Sequence, residues 1–246
     1  MISQFCYSGE LIKEHNGLHS MVLFIDGISA DAIVSPSVKK NLDEARKLLL
    51  EVGSESQIDS IQQWRLAYRK FRTDPTKFRM AAESILRRLR TSGDFVETLH
   101  PLVALCNSFS ARYAMPVAAL DASRIEGKLR VCPASGESQY SGFDGSCVIV
   151  PVGEVTFEDE AGRAHSRRWS YKQSSYSGIS IDTKEAVIVA EALHGYAREN
   201  LRDLLTELNR DLLVYWPNAK IVGKVLSGED LVSGILYPFV SHADLF

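Results

Sequence analysis

A chain of 246 residues with 45% hydrophobic and 24% charged residues is long enough to bury a core without disulfide or metal staples. A formal net charge of −3 argues against a protein that coats nucleic acid with a wide basic surface. No apolar run approaches the ~18 residues that span a bilayer, and the first residues lack a basic stretch followed by an apolar one, so neither a membrane span nor a secretory leader is expected.

In chain order, Met21-Val22-Leu23-Phe24-Ile25 is an apolar run that predicts a buried strand ending at Asp26-Gly27. Leu42, Ala45, Leu48 and Leu49 recur at helical spacing within Val38–Val52, and Gly53 stops that helix. Ile58–Arg72 and Lys77–Arg90 predict two further helices, broken at Asp74-Pro75. His100-Pro101 opens a helix running to about Tyr113. From Lys128 to Trp169 short β-rich pieces alternate with Gly-containing turns. Val187–Ala190 predicts a strand, and Ala192–Leu213 a long amphipathic helix. The expectation is an α+β fold: a helical N-terminal half, a mixed β-sheet core and a long C-terminal helix. No internal repeat or linker interrupts residues 1–246, so a single domain is expected.

Chemistry-bearing residues are sparse. Cys6, Cys106, Cys132 and Cys147 contain no CxxC pair, which fits reduced thiols of a cytoplasmic protein and gives no zinc site or disulfide framework. The histidines, His15, His19, His100, His165, His194 and His242, form no HExxH or HxH pair, and no GxSxG elbow, P-loop or GxGxxG loop follows a strand. No metal or cofactor is therefore expected. Gly142-Phe143-Asp144-Gly145 is a turn signal. Charge is uneven: Trp64–Arg90 carries nine Lys or Arg residues against Asp74 and Glu83. Such a run is either a solvated helix face or a phosphate-binding one.

The stretch Leu102–Gly127 reads LVALCNSFSARYAMPVAALDASRIEG. Its apolar strip ending in Asn107, then Pro116, then Asp121, Arg124, Ile125 and Gly127, resembles the editing domain of the phenylalanyl-tRNA synthetase β subunit, the B3/B4 domain. Lys77-Phe78-Arg79, Glu83 and Leu86-Arg87-Arg88 resemble a pattern of freestanding members. Gly153-Glu154-Val155, Asp159, Arg168-Trp169, Lys172-Gln173-Ser174 and Thr183 resemble a later block. The resemblance covers about Trp64–Leu193 and lacks the synthetase catalytic core and anticodon-binding modules.

That resemblance implies a B3/B4-like fold and a trans-acting deacylase that hydrolyses the ester of a mischarged tRNA. It places Asn107 in the editing pocket and Glu191 at the nearest match to a pocket glutamate, both as candidate catalytic residues. Ala118 occupies the position where bacterial members carry an editing-site His, so His-assisted hydrolysis there is not expected. Trp169, Arg168, Gln173, Ser174 and Ala118 would shape the substrate pocket, and Lys77, Arg79, Arg87 and Arg88 would meet the tRNA. Each residue also has a structural reading. Asn107 would satisfy backbone at a helix end; Glu191 would open the following helix at the surface; Trp169 would be core with Arg168 packed along it. Cys106 is expected to be buried and inert, Glu126 solvent-facing, and Asp121 with Arg124 to brace a turn. A noncatalytic module binding tRNA or an amino acid, and a hydrolase of a small aminoacyl metabolite, remain alternative readings.

Overall fold

The computed structural model describes residues 1–95 and 100–239, so His242 lies outside the described residues. The first half contains β1 (Ile2–Tyr7), α1 (Gly9–Glu14), β2 (His19–Asp26), α2 (Ser35–Val52), α3 (Asp59–Lys70), α4 (Ala81–Ser92), α5 (Pro101–Tyr113) and β3 (Val117–Asp121). Short strands follow: β4 (Gly127–Pro133), β5 (Gln139–Ser141), β6 (Cys147–Ile149), β7 (Val155–Glu158), β8 (Arg163–Ala164), β9 (Ser166–Arg167) and β10 (Lys172–Gln173). The chain continues through β11 (Glu185–Ala192), α6 (Ala197–Tyr215), β12 (Lys220–Ser227), α7 (Glu229–Ser233) and β13 (Ile235–Leu236).

The described strands build a four-stranded antiparallel sheet, ordered β12-β2-β11-β3, and a seven-stranded mixed sheet, ordered β13-β1-β4-β7-β8-β5-β6. β1 runs parallel to β4, and β5 parallel to β8. Side-chain alternation sorts the four-stranded sheet into two buried faces. Met21, Leu23, Ile25, Ala186, Ile188 and Ala190 pack beneath α5 and α6 against Leu105, Phe109, Leu204 and Leu208. Val22, Phe24, Val187 and Val189 point the other way, into a core shared with Phe5, Leu129, Val131 and Phe157 of the mixed sheet. Burial on both faces explains why residues 21–25 form an unbroken apolar run. The architecture is α+β, and no helix of the described residues is long and apolar enough to cross a membrane.

Two helices start later than the sequence spacing predicts. The α4 helix begins at Ala81 rather than Lys77, because the Asp74 carboxylate and backbone carbonyl take the Thr76 and Phe78 amides in a turn, and the Ala81 amide donates to the Ser170 carbonyl (2.8 Å). The α6 helix begins at Ala197 rather than Ala192, because β11 continues through Ala192, paired with His19 of β2. Pairing with β2 outweighs the helix propensity of Ala192. β1, β12 and β13 carry no clear sequence periodicity; pairing makes them, β1 through β4, β12 along the whole of β2, and β13 against β1.

The basic run from Trp64 to Arg90 is tied down from within. Glu83, 1% exposed, is gripped by Arg65 and lies 3.8 Å from Arg79. Glu55, 2% exposed, accepts from Arg90 Nε at 2.7 Å and lies 3.6 Å from Arg87. These pairs lock α3, α4 and the 3-10 turn at Glu55–Gln57 together. Burial pushes the Glu83 carboxyl above the usual carboxylate range, opposed by Arg65 and Arg79. Arg65→Ala leaves Glu83 buried with a weakened partner set, so a loss of about 3 kcal/mol is expected as a lower urea midpoint. The loss should be larger at pH 8 than at pH 5, where protonation relieves the carboxylate.

Candidate functional site

On the face of the four-stranded sheet that carries Val187 and Val189, a cavity of about 120 Å³ opens toward the start of α4 and the β9–β10 ribbon, with Asn107 of α5 on its border. Ala118, Leu120 and Val189 line it from the sheet, with Phe157 of β7 and Trp169 completing the apolar wall. Asn107, His165, Gln173 and Glu191 supply polar groups. The register sets this arrangement: Val189 pairs with Ala118, and Glu191 shares a strand face with Val187 and Val189.

Glu191 is 3% exposed and lies in β11, so it does not open the following helix at the surface. Its Oε1 accepts hydrogen bonds from Trp169 Nε1 and the Tyr7 hydroxyl, both at 2.8 Å. The Tyr7 hydroxyl also lies 2.8 Å from Ser20 Oγ. Burial pushes the Glu191 carboxyl up to about 7, and the two donated hydrogen bonds only partly oppose it. Oε2 has no hydrogen-bond partner among the described residues. The cavity therefore contains a carboxylate whose second oxygen is uncommitted and whose charge changes near neutral pH.

Trp169 is fully buried and also forms cavity wall, which unites the two roles considered for it. Its ring meets Trp64 edge-on at 4.9 Å and His15 at 5.1 Å. Arg168 and Trp169 have φ of 46° and 62°, left-handed conformations costing about 1–3 kcal/mol each for non-glycine residues. The Glu154 carboxylate accepts from the Arg168 amide at 2.9 Å, and the Trp169 amide donates to Val155 O at 2.6 Å. This bend turns the indole inward to Glu191 and Arg168 outward. Arg168 stacks on Phe78 with its guanidinium carbon 3.8 Å from the ring centroid, and it does not line the cavity.

Asn107 lies within α5 rather than at its end, and borders both the cavity and an adjoining groove with Ala81, Arg88 and Phe95. Its amide has no hydrogen-bond partner among the described residues. His100, by contrast, caps the helix by accepting from the Leu102 amide at 3.1 Å. Gln173 Nε2 donates to Ala119 O (2.8 Å) and Ser177 O (3.3 Å), which leaves Oε1 as an acceptor beside the cavity. Ser174 is fully buried, donates to Ser141 O at 2.8 Å, and does not line the cavity. Burial pushes the Cys106 thiol up to about 12, so it provides no thiolate near neutral pH.

Sequence reasoning missed Tyr7 and His165 as site residues. Tyr7 reaches Glu191 from the far end of the chain, a contact no local motif announces. His165, fully buried, places Nδ1 2.8 Å from Ser177 Oγ and Nε2 3.2 Å from Asp159 Oδ2. Burial raises the Asp159 carboxyl, but hydrogen bonds from His165, Arg163 and the Glu126 amide outweigh it and hold it far below the usual range. The spacing of Asp159 from His165 across a Gly-containing turn was the only available signal. Asp121 accepts from the Ser123 amide (3.1 Å) and from Thr183 Oγ1 (2.7 Å), with Arg124 at 3.6 Å, and so braces the turn after β3. Glu126 is exposed. Among the proposed RNA contacts, Arg79 and Arg87 face buried glutamates, Lys77 lies over Phe78 at 5.2 Å, and exposed Arg88 has no ion pair among the described residues.

Three comparisons with known proteins bear on the chain. A family profile described as "B3/4 domain" matches residues 63–207, more than half of the chain. The match contains every motif from Trp64 to Leu193 and extends into α6. No curated protein gives a significant match. A crystal structure of an N-terminal fragment of the phenylalanyl-tRNA synthetase beta-subunit from Pyrococcus horikoshii overlaps with a TM-score of 0.45 at 9% identity. The overlap covers 92% of this chain and 55% of that one, so the chain spans about half of that fragment.

The buried carboxyl makes a measurable prediction. Because folding raises the Glu191 pKa, its favourable contribution is complete below the ordinary carboxylate pKa and is lost as pH rises to about 7. Over that interval the wild type should lose up to about 1.4 kcal/mol per pH unit relative to Glu191→Gln. Urea unfolding of both proteins between pH 4.5 and 8 checks this; parallel stability curves would rule it out.

Proposed function

Because the chain belongs to the B3/4 domain family, we propose that it is an aminoacyl-tRNA deacylase, hydrolysing the ester between a wrong amino acid and its tRNA. The observation that carries this reading is the cavity itself: an apolar wall of Trp169, Val189 and Leu120 beside uncommitted polar groups of Glu191, Gln173 and Asn107. An amino acid bears the complementary pattern, a side chain to bury and an ammonium to donate hydrogen bonds. A volume near 120 Å³ is somewhat smaller than the ~150 Å³ cavities that hold a benzene ring, so it suits a small or medium side chain.

In this reading the ester lies at the Asn107 end of the cavity, where the Asn107 amide donates to the carbonyl oxygen as it gains charge. Water attacks the carbonyl carbon and gives its proton to Glu191 Oε2. The carbon–oxygen bond to the ribose then breaks, and the departing oxygen takes that proton back from Glu191, leaving free amino acid and tRNA. A base with a pKa of about 7 matches a reaction run near neutral pH. Tyr7 and β2 work with the matched region here, since they lie outside the family match yet hold Glu191 and its strand. Lys77 and Arg88 contact tRNA phosphates on the α4 side, whereas Arg79 and Arg87 are already engaged with Glu83 and Glu55.

Ala118 favours a second reading, a noncatalytic pocket for an amino acid or charged tRNA, because it brings no titratable group to the wall. A panel of correctly and wrongly charged tRNAs separates the two. The deacylase reading expects release of one wrong amino acid, with kcat/KM rising through pH ~7 to a plateau. Asn107→Ala should lower kcat/KM about a hundredfold, and Glu191→Gln should abolish the rise with pH. Ala118→Leu should fill the cavity and depress the rate for the bulkiest accepted amino acid most. Binding without release across the panel supports the noncatalytic pocket instead.

A further inference from the structure

A second concavity, about 540 Å³, adjoins the cavity, and Tyr171, Lys172 and Gln173 line both. Its remaining walls carry Phe78, Tyr140, Phe143, Arg167 and Arg168. Rings and cations alternate around it. The Arg168 guanidinium lies 3.8 Å from the Phe78 centroid and 5.8 Å from that of Tyr171. Lys172 stands 5.6 Å from the Tyr171 ring, and Arg167 5.5 Å from Tyr140.

Phe143 is the most telling member. It is 71% exposed, in a tight turn of a kind that normally displays polar residues. The turn is firmly held. The Gly142 amide donates to Ser146 O at 2.8 Å, and the Asp144 carboxylate accepts from the Ser146 amide at 3.0 Å and from its hydroxyl at 2.5 Å. Gly145 supplies the φ of 79° that the reversal needs. The ring rests against Gly178, where an added Cβ would come within 2.8 Å of it. Phe143 is thus a preorganised ring with open surface.

We propose that this groove binds the unpaired nucleotides preceding the esterified ribose of a charged RNA, with bases stacking on Phe143 and Tyr171 and phosphates meeting Lys172 and Arg168. The proposal rests on the aminoacyl-RNA reading of the adjoining cavity. Stacking platforms interleaved with cations suit single strands of any sequence, because every base presents a π face. The shared Tyr171-Lys172-Gln173 wall places the strand end at the cavity mouth. The local charge is modest, since Glu154 pairs with Arg167 at 2.5 Å and lies 3.9 Å from Arg168. Lys172 is exposed, with no ion pair among the described residues. Affinity should therefore come mainly from stacking, with a log–log salt slope of about −1 to −2, the value for only a few phosphates on a single strand.

The test uses fluorescence anisotropy of a labelled single-stranded RNA hexamer and of a blunt RNA hairpin, alongside hydrolysis of a small amino-acid ester. The hexamer should bind more tightly than the hairpin. Phe143→Ala should weaken hexamer binding about tenfold, Phe143→Trp should restore it, and Arg87→Glu should change it little. Phe143→Ala should leave hydrolysis of the small ester unchanged, which also shows that the variant folds. Equal hexamer affinity for Phe143→Ala and wild type overturns the groove, even if esters are hydrolysed and the deacylase reading stands. Phe143-dependent hexamer binding without hydrolysis of any ester or charged tRNA supports the groove and rejects the deacylase reading.

Discussion

The Glu191 carboxylate sits on β11 beside Val187 and Val189, where an ionised group without partners would cost several kcal/mol. Two donors offset that cost, and they come from distant parts of the chain: Tyr7 from β1 and Trp169 from the bend after β9. One oxygen thereby joins the mixed sheet, the four-stranded sheet and a strained loop. The left-handed backbone at Arg168 and Trp169 is tolerated because Trp64, His15 and Glu191 over-determine the indole position. The partial compensation matters as much as the anchoring. With Oε1 satisfied and Oε2 uncommitted, the carboxyl is stable enough to build on and still available for chemistry.

Charge is divided by a similar logic. The basic run of α3 and α4 invites an interpretation as a nucleic-acid surface, but Arg65, Arg79, Arg87 and Arg90 converge on two buried glutamates. Their work is to dock helices. Phe78, Phe143, Tyr171 and Lys172 instead line a groove that borders the cavity. A modest net charge is therefore compatible with RNA contact, provided that rings rather than a broad field supply the affinity.

The site mixes residues that announce themselves with residues that do not. Asn107, Ala118, Trp169, Gln173 and Glu191 all line the one cavity, although they come from α5, β3, the bend after β9, β10 and β11. Asn107, Trp169 and Gln173 were legible because short motifs carry them in a recognisable order, whereas Ala118 and Glu191 were placed only by their position relative to those motifs. Arg168 and Ser174 lie inside the same motifs yet face elsewhere: Arg168 is turned out by the left-handed bend, and Ser174 is drawn to the Ser141 carbonyl. Adjacent residues on an irregular loop can point in opposite directions, and no spacing rule resolves that. Tyr7 and His165 were missed for a different reason. Their partners are distant in sequence or engaged through a turn, so no local pattern marks them.

By itself the sequence determined the broad α+β class, the α2, α3 and α5 helices, the central strands and the family, because apolar periodicity, Pro and Gly punctuation and motif order are local properties of a chain. Only the tertiary structure decided where α4 and α6 begin, which arginines are neutralised, and that Glu191 is a buried strand residue. Each of those outcomes depends on a partner far along the chain: Ser170 for Ala81, Glu55 for Arg87 and Arg90, β2 for the end of β11, and Tyr7 for Glu191. Long-range pairing of backbone ladders and buried charges outweighs local propensity wherever the two conflict.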